Sequence, residues 1–185
     1  MVRILQPDLN VFWLYENVSS MNKETKQVIN RFLECDPALW DAVNFSPQHR
    51  ARYMWGNIPG MHNPPSDYHT MVGLSLSLDE ILIKNLDRKA KVMKVRTITT
   101  MTNSLYSNSR SKDLPVKMGE SDSSIWITEL EQIFGFLPHY TDIGYLSPNG
   151  RLKVLGVSWS VNVIKHLLQP LKEFFVTNSS PVCSS

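Results

Sequence analysis

The sequence predicts an α/β domain, and three observations carry that reading. Short aromatic and apolar runs alternate with amphipathic stretches of helical period. Hydrophobic residues make up 42% and charged residues 19% of the 185, a globular rather than a disordered composition. No run of eighteen apolar residues exists, so no membrane span is expected. The length suits one domain or a large piece of a bigger one.

The elements follow in order. "VFWLY", residues 11–15, reads as a short buried strand that ends at Glu16-Asn17. A helix is predicted over Lys23–Leu33, with Val28, Ile29, Phe32 and Leu33 on one face. Asn22 would cap it and Asp36-Pro37 would stop it. Arg52–Trp55 reads as a strand and "GNIPGM" as the turn after it. Residues 61–72 read as loop. "LSLDEILIKNL" reads as a short helix with Ser77 as its cap. "KVMKVRTITT" has strand-like composition, and "SNSRSKDLP" is loop-like. "SSIWITELEQIFGF" holds a helix starting near Thr128 and stopping at Gly135, with Glu129 and Glu131 in its first turn. "SWSVNVIKHLLQPLKEFF" is a further helix striped by Val161, Ile164, Leu167 and Leu168, which Pro170 kinks or ends. Residues 176–185 read as a disordered tail.

The net charge of +2 is small, but its distribution is uneven. Nine of the nineteen Lys and Arg fall between Lys84 and Lys117, against only Asp87 and Asp113. Such a segment suits a polyanion, or is a solvated basic loop. Cys35 and Cys183 give no disulfide framework, which fits a reducing compartment. The first ten residues lack the pattern of a secretory signal.

Four segments carry candidate chemistry. Glu16 ends an aromatic run, where a half-buried carboxyl would hold its proton more firmly and serve as a general acid. Its plain reading is an acid at a strand end. Arg50 and Arg52 are two apart and would share a strand face, as a grip for phosphate or as two surface arginines. "KVRTITTMTNS", residues 94–104, interleaves basic, hydroxyl and amide groups suited to phosphate and groove contacts. It also reads as a Thr-rich edge strand. In "LGVSWSVNVIKHL", Ser158 or Ser160 can cap a helix, and Trp159 is an aromatic plate beside it.

Taken together, "FWLYENV", "RFLECDP", "HRARYMWGNIPGM", "KVRTITT", "TELEQIFGFLPHYTD" and "LGVSWSVNVIKHLLQPLKEFF" resemble successive segments of the de novo DNA (cytosine-5) methyltransferases. The resemblance covers the C-terminal half of that family's catalytic domain. It implies an incomplete Rossmann-like domain over residues 1–175, the second half of the sheet, with a small target-recognition insertion at about 90–118. It implies methyl transfer from S-adenosylmethionine to carbon 5 of a flipped cytosine. By resemblance Glu16, Asn17, Arg50 and Arg52 are catalytic-site residues, and Ser158 and Trp159 face the methyl donor. Arg96, Thr97, Thr99, Thr100, Met101, Thr102, Asn103 and Ser104 would meet DNA, and Arg31, His139 and Asp142 would form oligomer interfaces. DNA is the implied substrate and the nucleus the implied location. A homo-oligomer, or a hetero-oligomer with a related methyltransferase or regulatory subunit, is also implied.

The departures matter as well. The family's Gly-rich loop and nucleophilic Cys have no counterpart here, so this chain alone is expected to be inactive. Met101 stands where family members read guanine with a basic residue, which puts CpG preference in doubt. Pro148 and Val157 stand where the family has arginines. The alternative is a non-catalytic DNA-binding or partner-binding module.

Overall fold

A computed structural model describes residues 10–65, 77–107 and 112–175. The tail at 176–185 and parts of the two predicted loops lie outside the described residues. The first sheet holds β1 (Leu14–Val18), β2 (Ala38–Asp41) and β3 (Ala51–Gly56), in the order β1-β3-β2. Both neighbours run antiparallel to β3, so β1 and β2 point the same way with β3 inserted between them. Helix α1 (Lys23–Leu33) connects β1 to β2.

Helix α1 begins and ends where the sequence predicts. The Thr25 amide donates to Asn22 Oδ1 at 2.7 Å, and Glu34 closes the helix in the left-handed region at φ 55°. Its apolar face is not buried as expected: Phe32 is 81% exposed. Strand β1 starts three residues later than predicted and is not enclosed. Tyr15 is exposed, because alternation along β1 turns every second side chain to the α1 face. On that face Trp55 donates from Nε1 to Asn30 Oδ1 at 2.8 Å, and Lys26 Nζ lies 4.4 Å from the Tyr53 ring centre.

The opposite face carries Glu16, Met54 and Ala38 in one cross-strand row, and Val18, Arg52 and Trp40 in the next. Helix α5 (Val161–Leu168) covers it with Val163 and Leu167, which join Ala38, Trp40, Phe45, Met54, Ile58 and Met61 in one core. Beyond Leu168 the chain continues as a 3₁₀ turn over Gln169–Phe174, so Pro170 ends the α-helix.

The second core lies in the chain's middle. One turn of helix, α2 (Leu78–Ile81), precedes a small antiparallel sheet of β4 (Arg88–Ala90), β5 (Val116–Met118) and β6 (Ser121–Ser123). Ser77 makes no cap bond there. Helices α3 (Ile127–Phe134) and α4 (Pro148–Val157) close over the sheet, with Leu78, Ile98, Leu130, Ile133, Phe134 and Leu155 fully enclosed. Gly135 ends α3 at φ 88°, where an L side chain is strained. The residues of "KVMKVRTITT" are not a regular strand. They run as bends with one parallel bridge, Gln48 to Val95.

Candidate active site

The sheet delivers Glu16 and Arg52 to the face under α5. Arg52 Nε donates to Glu16 Oε1 at 2.7 Å, with both side chains largely enclosed. The second carboxylate oxygen is also engaged: Trp159 Nε1 donates to Glu16 Oε2 at 3.2 Å. The acid that ends the aromatic run therefore meets a guanidinium, not apolar walls alone. Trp40, Met54, Ser160, Val163 and Ile164 complete a narrow cleft around the pair. Its interior measures about 10 Å³, room for about one water. Trp159 also borders a wider apolar cavity of about 430 Å³ with Phe136, Val161, Ile164 and Lys165.

Arg50 also lines this cleft, but its guanidinium hydrogen bonds are committed to backbone carbonyls. It is buried, donating from Nη1 to Ile98 O at 2.7 Å and from Nη2 to Gly156 O at 3.0 Å and Ser158 O at 2.8 Å. Burial pushes its guanidinium down to about 10, and Arg52 adds to this while Glu16 opposes it. Burial lowers Arg52 as well, and Glu16 opposes that shift. Both remain cations near neutral pH. Arg50 thus ties Ile98 and the α4–α5 joint to the start of β3. Gly156 makes the same joint possible: a Cβ there would sit 2.5 Å from the backbone of Thr99 and Thr100.

Asn17 points to the α1 face, away from the cleft. Its Nδ2 donates to Tyr15 Oη at 3.2 Å and its Oδ1 accepts from the Val18 amide. The Ser158 hydroxyl donates to Leu155 O at 2.8 Å and serves as a helix stop. Cys35 follows α1 and does not line the cleft.

Between residues 96 and 104, Arg96, Thr99, Met101, Thr102 and Asn103 are exposed and Thr97 and Thr100 half-buried. Ser104 is buried, accepting from the Thr99 amide at 3.0 Å and donating to Met101 O at 2.6 Å. It shapes the turn that presents its neighbours. Thr97 Oγ1 donates to His49 O at 2.8 Å. Arg31 is exposed on the last turn of α1. His139 and Asp142 are exposed 3.6 Å apart, and Arg151 Nη1 approaches Asp142 at 3.6 Å.

Trp40, Met54 and Ser160 are site residues the sequence reading did not assign. Trp40 sits on β2, a four-residue strand too short for a periodic signal.

No protein-family model matches the sequence. Among solved structures the chain is similar to the Entamoeba histolytica methyltransferase EhMeth, at 15% identity and a TM-score of 0.51. That match covers 88% of this chain and 63% of the other. It is similar also to the S. pombe Dnmt2 methyltransferase, at 14% identity and a TM-score of 0.51, covering 92% of this chain and 72% of the other. The chain thus has the α/β fold of part of these methyltransferase structures.

Proposed function

We propose that this chain supplies the base-holding and DNA-recognition half of a cytosine-5 DNA methyltransferase. One observation carries the reading: a carboxylate and a guanidinium, paired at 2.7 Å, stand together in a cleft walled by Trp40 and Trp159. Such a pair matches the polar edge of a planar base. A carboxyl group serves a ring nitrogen and an exocyclic amine, and a guanidinium serves a ring carbonyl. The base must leave the duplex to reach such a cleft. Cytosine needs general acid help at its ring nitrogen before carbon 5 can react, and Glu16 is placed to give it. Arg52 orients Glu16 and holds the base carbonyl. The attacking thiolate comes from residues other than Cys35.

S-adenosylmethionine, when bound, supplies the methyl group. The side chains fit one wall of its site: the Trp159 indole and the apolar cavity of Phe136, Val161 and Ile164 suit a flat heterocycle. Ser158 fits less well, because its hydroxyl already serves Leu155. The exposed row Arg96, Thr99, Met101, Thr102 and Asn103 would meet DNA, and a DNA substrate implies the nucleus. Met101 has no polar hydrogen for guanine, so CpG selectivity is expected to be weak.

Anisotropy titrations with duplex DNA carrying one mismatched cytosine test the reading. Affinity should fall steeply as salt rises, since neutralised phosphates release counterions. Glu16→Gln and Arg52→Ala should abolish the preference for the mismatched over the paired cytosine and keep the salt slope. Salt-independent binding, or a preference untouched by both variants, counts against it.

A second reading is a partner-binding module. Leu137, Tyr140, Ile143 and Tyr145 are exposed beside His139 and Asp142, an apolar patch suited to another methyltransferase chain. Sedimentation of wild type and Tyr140→Ser separates the two.

A further inference from the structure

Ser160 occupies the N-cap of α5, yet its hydroxyl caps nothing. The side chains at the starts of α1 and α4 behave otherwise. Asn22 accepts from the Thr25 amide at 2.7 Å, and Ser147 accepts from the Gly150 amide at 3.2 Å. Ser160 is only 6% exposed, and its Oγ has no hydrogen-bond partner. A buried hydroxyl left without a partner destabilises the fold, and turning it back onto the helix amides would remove that cost. The side chain instead lines the cleft that holds Glu16 and Arg52.

We infer that Ser160 is a third ligand-contacting residue of this cleft, and that its hydroxyl hydrogen-bonds the polar edge of a bound pyrimidine nucleotide. The inference rests on the proposed base-holding role of Glu16. Ser160 is suited to it because a hydroxyl both donates and accepts, so it complements whichever polar atom Glu16 and Arg52 leave unserved. In the resting chain the space beside it has room for about one water. A base enters when the Trp159 indole leaves Glu16. Trp159 is 46% exposed and stands in the short link between α4 and α5, where its indole can turn toward solvent. Ser160 and Glu16 then face the same opening.

The test is titration of the full chain with deoxycytidine monophosphate, followed by amide and indole NMR shifts, with thermal melting in parallel. Wild type should bind saturably, with the Trp159 indole signal moving. Ser160→Ala should bind about fivefold more weakly, the loss of one neutral hydrogen bond, and melt no lower than wild type. Ser160→Thr, which keeps the hydroxyl, should restore binding. Glu16→Gln should weaken binding as well. If Ser160→Ala binds as wild type while Glu16→Gln does not, the Ser160 role is wrong and the base-holding reading stands. A lower melting temperature for Ser160→Ala with unchanged affinity would assign the hydroxyl to the fold. Absence of saturable binding by wild type overturns both readings.

Discussion

Around β4–β6, α3 and α4 the apolar side chains close on one another, whereas around β1 and α1 they face outward. The half built on β4–β6, α3 and α4 also neutralises its buried charges internally. Arg88 donates to both oxygens of Glu129 at 2.8 Å and stacks on Trp126, its guanidinium carbon 4.1 Å from a ring centre. Glu129 further accepts the Trp126 and Ile83 amides, and Arg88 also serves Ser123 and Ser124. Glu131, equally buried, is held by Thr141, His139 and Arg151. Among the described residues the sheet half carries one largely enclosed ion pair, Glu16–Arg52, seats the buried Arg50 on backbone carbonyls, and leaves Tyr15, Val28, Phe32 and Leu39 exposed. The difference separates two jobs. The closed half encloses its own core and shows apolar surface mainly at Leu137, Tyr140, Ile143 and Tyr145, whereas the open half leaves it uncovered along β1 and α1.

Arg88→Ala should break the closed half most severely. It strands the fully enclosed Glu129 carboxylate, at a cost of about 3–5 kcal/mol. Denaturant melts should show it, and amide exchange should rise first in β4–β6. Equal loss of protection in β1–β3 would mean the halves are one cooperative unit.

Glu131→Gln comes next and carries a pH signature. Burial alone would raise the Glu131 carboxyl, but hydrogen bonds from Thr141, Arg151 and His139 outweigh it and hold the group below its usual 4.5. Its folded value therefore lies under its unfolded one. The stability it contributes is present above about pH 4.5 and is lost as pH falls through the folded value. Wild type should lose stability on acidification in that window. The Gln variant should be less stable by about 3 kcal/mol at neutral pH and show a flatter acid limb. An unchanged acid limb would assign the acid sensitivity to other carboxylates.

Gly156→Ala attacks the seam between the halves. The new methyl would meet the Thr99–Thr100 backbone, which the Arg50 bond to Ile98 O holds nearby. A loss of about 1–3 kcal/mol is expected, with shifts concentrated at residues 97–104 and at Trp159. Shifts confined to α4 would show that the seam does not couple residues 97–104 to the cleft.

How much of this was readable beforehand follows from the kind of signal each feature leaves. Helix α1 was legible to the residue because Asn22 caps locally. The end of α3 was legible because Gly135 adopts a conformation that side chains avoid. The resemblance grouped Glu16, Arg50 and Arg52 in one site, but it assigned Trp159 to the methyl donor, and the Trp159 bond to Glu16 left no signal in the sequence. Helix α4 was missed because "PNGRLKVLGV" contains two glycines and no clean apolar stripe; tertiary packing of Leu152 and Leu155 holds it. Strands β4–β6 were missed because three-residue strands have no period to read. The carbonyl bonds of Arg50 and the idle hydroxyl of Ser160 depend on residues far apart in sequence, and no local pattern encodes them.

Phe32 gives the smallest effect and the sharpest contrast. Phe134 sits wholly inside the closed core, and Phe134→Ala should cost about 3–5 kcal/mol. Phe32 lies on the last turn of α1, almost fully in water, so Phe32→Ser should change the stability of the isolated chain by no more than about 0.5 kcal/mol. The same residue type would then differ severalfold in its effect only because of the half it occupies. Melting curves of the two variants decide this directly. A Phe32→Ser variant that destabilises by more than about 1 kcal/mol would mean that α1 is covered in solution by another surface. Repeating the melt at lower protein concentration then identifies that surface, because a second copy of the chain dissociates on dilution and an internal segment does not.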